Sequence, residues 1–176
     1  ERVVGGARGR ILEIGAGTGL NARFYSEDAD VIAIEPSEGM RLRAERRARK
    51  ENVRARLSFQ DARAERLPFD SESFDAVVIT FVLCSVKNLE ASLLEARRVL
   101  KRGGELRLVE HVRSPEPRMA RLQSQLRPIW MTVFGGCDPV RDIREALMKL
   151  DFDVSAVNTI DLPLPRLAAA GVIGNA

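Results

Sequence analysis

Cysteine is scarce in this chain, with Cys84 and Cys137 the only two among 176 residues. Two thiols cannot supply the disulfide framework of a small secreted domain, so a reducing, cytoplasmic setting is expected. No apolar run approaches the roughly 20 residues that a membrane-spanning helix needs. An excess of one charge is also lacking. The 28 basic and 25 acidic residues leave a net charge of +3, and charge alone gives no reason to expect a nucleic-acid partner. There is no internal repeat and no low-complexity linker, so one domain over residues 1–176 is expected. An initiator Met is absent as well: the chain opens at Glu1, and the first strand signal follows nine residues later. The expectation is an upstream segment removed or left out, and any signal, anchor or peripheral membrane contact would reside there.

What is present is an ordinary globular composition, 45% hydrophobic and 30% charged. Apolar runs alternate with helical patterns nearly from end to end. RILEI (10–14), DVIAI (30–34), RLSFQ (56–60), DAVVIT (75–80) and ELRLVEH (105–111) read as strands. Several are apolar throughout, as strands covered on both faces must be. TGLNARFYS (18–26), SEGMRLRAERRARKEN (37–52) and NLEASLLEARRVLKR (88–102) read as helices between them, the last stopped by the following glycines. This alternation predicts a doubly wound, mostly parallel sheet of Rossmann-like α/β class, with helices on both faces. A longer amphipathic helix follows over 116–134, with Pro128 expected to break or bend it. A helix over 140–150, a strand over 152–160 and a final edge strand in the tail complete the expectation.

Chemistry concentrates at three strand ends. In LEIGAGTGLN, Gly15 and Gly17 let backbone pass close to a ligand, ahead of the N–H groups that open a helix. A dinucleotide fingerprint wants its third glycine at position 20, where Leu20 stands, so nicotinamide chemistry is disfavoured. A plain structural turn competes with the ligand reading. Glu35 ends the second strand about 20 residues on, where an acid can accept from both hydroxyls of a ribose. Asp61 ends the third strand, where its carboxylate could take an exocyclic adenine amine and the Ala62 N–H could serve the neighbouring ring nitrogen.

These pieces, with LPFDSESFDAVV (67–78) and ARRVLKRGGELRLVEH (96–111), give the chain a pattern that resembles class I S-adenosylmethionine-dependent methyltransferases. The resemblance implies S-adenosylmethionine as cofactor and S-adenosylhomocysteine as product. It places Gly15, Ala16 and Gly17 beneath the methionine part, Glu13 near its amino group, and Asn21 and Pro36 among the cofactor contacts. It assigns Glu35 to the ribose, Met40 to the adenine face, Asp61 and Ala62 to the adenine edge, and Thr80 and Phe81 to the sulfonium side. TFVLCSVKN, EHVRSP, a Trp-bearing helix and FGGC further resemble small alkyl-thiol S-methyltransferases of animals and their bacterial relatives. Phospholipid N-methyltransferases and quinone C-methyltransferases share parts of that pattern. The animal enzymes carry an N-terminal hydrophobic anchor, and this sequence shows none. A small apolar acceptor is implied, with a thiol ahead of an amine head group or a quinone carbon. A non-catalytic nucleotide-binding module is the reading from another class, opposed by an intact Glu35, Asp61 and glycine loop.

Methyl transfer needs no nucleophile from the protein, so Cys84, just past the fourth strand, reads as a pocket wall or a core position. A metal site from Cys84, His111 and Cys137 lacks ligand spacing, and no metal is expected. His111 ends the fifth strand, where it either caps the strand end or acts as general base. Alternation turns Glu110 to the opposite face. The 116–134 helix is expected as an inserted lid, with Trp130, Met131 and Phe134 toward a greasy acceptor, although its stripe also fits core packing. The charges of RLRAERRARK (41–50) read as the wet face of a helix whose other side holds Met40, Leu42 and Ala44.

Overall fold

The computed structural model describes residues 1–164 and 166–176. Strands β1 (Arg10–Ile14), β2 (Asp30–Ile34), β3 (Arg56–Gln60), β4 (Phe74–Thr80) and β5 (Leu100–His111) are joined by α1 (Glu38–Lys50) and α2 (Leu89–Val99). Helices α3 (Pro117–Val133) and α4 (Ile143–Lys149) then precede β6 (Asn158–Asp161) and β7 (Ala170–Asn175). The seven strands lie in the order β3-β2-β1-β4-β5-β7-β6, parallel as far as β5, with β7 antiparallel to both its neighbours.

The register explains the site. Ile14 pairs with Ile34 and with Ile79, and Ile34 pairs with Gln60. The residues that follow, Gly15, Glu35, Asp61 and Thr80, therefore emerge together along one sheet edge, where open parallel sheets bind their ligands.

Each face of the sheet has its own core. Leu12, Ile14, Ile34, Val77 and Ile79 pack with Leu93, Ala96 and Val99 of α2 and Ile143 and Leu147 of α4. On the opposite face Ile11, Val31, Ala76 and Val78 pack with Val3, Val4, Ala7, Tyr25 and Ala55. Alternation along each strand sorts its side chains between these two clusters.

Three expectations are corrected and a fourth, for Pro128, is narrowed. The stretch 18–26 forms only a 3₁₀ turn at Ala22–Phe24. Gly19 there adopts φ +76°, outside helical geometry, and a Cβ would lie 2.9 Å from Ala44 Cα. Helix α2 stops at Val99, and β5 starts at Leu100 through an irregularity opposite Phe74 and Ala76, earlier than position 105. Pro128 sits inside an unbroken α3. The tail strand β7 is interior, and β6 takes the edge. Among the described residues no helix is long and apolar enough to cross a membrane.

Candidate functional site

A cavity of about 910 Å³ opens along the ligand edge, lined by the glycine loop, Glu35, Met40, Ala62, Thr80, Phe81 and the turn that follows β4. The loop is pinned at its start, where the Gly15 and Ala16 N–H groups both donate to the Ile34 carbonyl at 2.9 and 3.0 Å. Gly15 adopts φ +75°, and a Cβ there would lie 2.3 Å from Val82 Cγ2. Gly17 adopts φ +54° and has nothing within 4 Å of such an atom. Only glycine takes both conformations without strain.

Glu35 is 8% exposed, and each of its carboxylate oxygens is held by backbone: Gly17 N–H donates to Oε2 at 3.1 Å and Ser37 N–H to Oε1 at 2.9 Å. Each oxygen keeps a second lone pair for a ligand hydroxyl. Arg41 fixes the same corner by donating to the Glu35 carbonyl at 2.6 Å and approaching Asp61 at 3.5 Å. Asp61 itself lines an adjoining recess with Ala62 and Arg66, not the main cavity.

Glu13 lies beneath the loop, 2% exposed. The Asn21 amide donates to its Oε1 at 2.8 Å and to Thr80 Oγ1 at 2.9 Å, so three residues expected at the cofactor form one chain. Burial lifts the Glu13 carboxyl above its ordinary range, while the Asn21 donor, which favours the anion, pulls it back. Phe81 holds φ +56°, a conformation unusual for an aromatic residue, and its ring is exposed at the cavity wall. Such outliers persist where the surroundings enforce them. Here the Phe81 N–H is bound to the Val109 carbonyl at 2.9 Å.

The wall beyond Phe81 is the turn 82–86, and sequence reasoning missed what fixes it. Glu110 accepts from the N–H groups of Val82 at 2.7 Å, Leu83 at 2.9 Å and Cys84 at 3.4 Å. Alternation along β5 set this residue on the face opposite His111 and gave no sign of these bonds. Burial pushes the Glu110 carboxyl up to about 7 against the pull of those three donors. Arg141 donates to the carbonyls of Leu83 and Val86, and Asp138 N–H to the Cys84 carbonyl at 2.8 Å. Asp138 is buried and takes a two-pronged bond from Arg127 of α3, at 2.9 and 2.7 Å. A buried carboxylate needs such partners. No spacing rule ties residues 83, 110, 127, 138 and 141 together.

Cys84 of this turn and His111, both 3% exposed, and the half-buried Cys137 lie outside the cavity lining. One ligand atom from each comes within 4.8 Å of the other two, and His111 Nδ1 is 3.3 Å from Cys137 Sγ. The Cys84 thiol, directed at Cys137 and buried, is pushed up, and Cys137 is pulled down by Cys84 and then by His111. His111 Nε2 is buried without a partner. Trp130 and Phe134 stack on each other at 4.2 Å, with Trp130 6.0 Å from the His111 ring. Neither lines the cavity, where Gly135 alone represents the segment around α3. Met40 reaches the cavity, whereas Leu42 is 44% exposed, so Ala44 is the one buried residue of α1. Arg41 and Arg47 are not merely wet, since Arg47 Nε donates to the Thr18 carbonyl at 3.0 Å.

Residues 12–108 match a family described as a methyltransferase domain. The chain is 33% identical over 156 residues to a thiol S-methyltransferase of Homo sapiens, covering 88% of this chain and 64% of that protein. It is 40% identical over 105 residues to a ubiquinone/menaquinone biosynthesis C-methyltransferase of Rhizobium meliloti, covering 57% and 41%. The chain thus spans less than two thirds of these curated relatives. Among solved structures, an S-adenosylmethionine-dependent methyltransferase of Thermotoga maritima, titled a possible histamine N-methyltransferase, aligns with a TM-score of 0.65 and 27% identity. That alignment covers 96% of this chain and 83% of that one. With a matched domain over more than half its length, the chain belongs to the S-adenosylmethionine-dependent methyltransferases of Rossmann-like fold.

Proposed function

We propose that the protein transfers a methyl group from S-adenosylmethionine to a small apolar acceptor, a thiol in the first place. The observation that carries this reading is one cavity lined by two unlike sets of residues. Its lining includes Gly17, Glu35, Met40 and Ala62 on the one hand and the apolar Phe81, Val82, Val86, Val109 and Ile173 on the other. The open space at Gly17 and the preset Glu35 carboxylate suit a nucleoside carrying an amino-acid tail. Glu35 would accept from the ribose hydroxyls, Met40 would cover the adenine, and the Ala62 N–H would serve its edge. Asp61, held near Arg41, would take the adenine amine from the adjoining recess.

When bound, S-adenosylmethionine supplies a methyl on a cationic sulfur, an activated group that needs only an aligned acceptor. Phe81 and Val82 would shield that region from water. His111 stands behind the turn and not on the cavity wall, so its role as general base is not needed for this reading. A thiol with an ordinary pKa near about 8.5 ionises enough by itself. The relative named for thiol methylation supports the same choice of acceptor.

The test is purified protein with methyl-labelled cofactor and a panel of small thiols, phospholipids and quinone precursors. Label should pass to alkyl thiols. Label on lipid amine or quinone carbon would reassign the acceptor. Binding of S-adenosylhomocysteine with no transfer to any acceptor would favour a non-catalytic module. Calorimetry on Glu35→Ala should show cofactor affinity weakened by about 1–3 kcal/mol, the cost of losing bonds to a charged acceptor. Unchanged affinity would remove Glu35 from the site.

A further inference from the structure

Cys84, His111 and Cys137 come from three separate parts of the fold: the turn after β4, the end of β5 and the loop after α3. We propose that these three side chains form a site for a zinc-class divalent cation, which fastens the loop after α3 to the turn that walls the cavity.

The geometry is near what such an ion needs. Zinc bonds of about 2.3 Å to sulfur and 2.0–2.1 Å to nitrogen, at tetrahedral angles, put ligand atoms roughly 3.5–3.8 Å apart. The three ligand atoms here lie within 4.8 Å of one another. The Nδ1–Sγ pair is already at 3.3 Å. Closing the set takes movements of about 1 Å or less, which side-chain torsions supply.

The backbone around the ligands is fixed in advance. Cys84 is held from both sides, its N–H on Glu110 at 3.4 Å and its carbonyl on Asp138 N–H at 2.8 Å. The Cys137 N–H is bound to the Phe134 carbonyl at 3.1 Å. Asp138, next to Cys137, is clamped by Arg127 and by Arg141, the latter at 3.8 Å. A loop anchored so firmly places Cys137 against His111 at little entropic cost.

Ligand chemistry selects the ion. Two thiolates and a neutral imidazole favour zinc over magnesium or calcium, which take oxygen ligands. Two thiolate charges cancel a divalent cation, so the buried cluster becomes neutral. Three protein ligands leave one tetrahedral corner for water, and Cys137 is only half-buried. Sequence spacing gives no hint of this, because the ligands are 27 and 26 residues apart. The fold supplies the proximity.

The experiment is a titration of the protein, reduced with a phosphine and stripped by chelator, with cobalt(II) and then zinc. One equivalent of cobalt should give a thiolate charge-transfer band and the visible bands of tetrahedral cobalt, both lost when zinc is added. Cys137→Ser, at a half-exposed position, should weaken binding by about 100-fold or more, beyond what losing an outer-shell partner costs. Zinc should raise the melting temperature of the parent and not of Cys137→Ser. A reduced protein that binds neither metal would overturn the site, as would an octahedral, oxygen-type cobalt spectrum. Binding unaffected by Cys137→Ser or by Cys84→Ser would do the same. A mass two daltons below the reduced chain, in protein that binds no metal once reduced, would replace the site with a disulfide.

Discussion

The two ends of the cavity are built by different means. The proposed nucleoside end is made at the tips of adjacent parallel strands. The bonds that set its carboxylate are short in sequence: Gly17 to Glu35 spans 18 residues and Ser37 to Glu35 spans two. The proposed acceptor end is the turn 82–86, held by a carboxylate 26 to 28 residues away and a guanidinium 55 to 58 residues away. One end follows once a parallel sheet forms. The other exists only when β5, α3 and the loop before α4 have all docked, so it should be the first to open.

The strongest way to break this division is at the point where the ends touch. Gly15 belongs to the nucleoside end, and the nearest atom to a Cβ added there is Val82 Cγ2. Gly15→Ala combines a left-handed conformation, costing about 1–2 kcal/mol, with an overlap against a turn that Glu110 holds in place. The expected loss of unfolding free energy is about 3 kcal/mol, read from urea melts, with cofactor affinity and turnover falling together. Gly17→Ala is the control. It meets nothing within 4 Å and should cost only the conformational term, about 1–2 kcal/mol. Equal losses in the two variants would show that contact with Val82 does not join the ends.

That same difference governs what could be read in advance. The five parallel strands were legible because each is a short apolar run, and the strand-end residues Gly15, Glu35, Ala62 and Thr80 came with them. The helix expected over 18–26 failed because Gly19 packs onto Ala44 in a left-handed conformation, and local patterning cannot see a neighbour across the fold. The bonds that Glu110 makes were missed for a related reason. Alternation places a side chain on a face, and a carboxylate reaching three N–H groups around a turn is decided by the turn. The clamp of Arg127 on Asp138 has no local signature at all.

A milder test acts on the acceptor end alone. Arg127→Ala removes the two-pronged bond from α3 and leaves Asp138 with Arg141 at 3.8 Å and the Val140 N–H at 3.2 Å. Because Arg127 is about half-exposed, the cost should be about 1 kcal/mol, well below that of a fully buried pair. Hydrogen exchange should quicken over 134–142, and thiol turnover should drop. Affinity for S-adenosylhomocysteine should hold. A matching loss of that affinity would mean the two ends are one cooperative unit.

The smallest effect is expected on α1, where the arginines divide into two kinds. Arg41 and Arg47 bond backbone that shapes the nucleoside end, through the carbonyls of Glu35 and Thr18. Arg46 and Arg49 are exposed, and Arg49 pairs with Glu45, at 3.6 Å one helical turn away. Replacing both exposed residues with Gln should change stability by less than about 0.5 kcal/mol, since exposed ion pairs of this kind contribute little. Turnover on a small acceptor should stay at the parent level. Arg47→Gln should by contrast free the Thr18 carbonyl and weaken cofactor binding, measured by the same calorimetry. A different partner would reveal itself here. If the parent binds RNA or DNA with an affinity that falls steeply with salt, and Arg46→Gln with Arg49→Gln abolishes it, the exposed face of α1 is a phosphate-binding surface and the small-molecule reading fails.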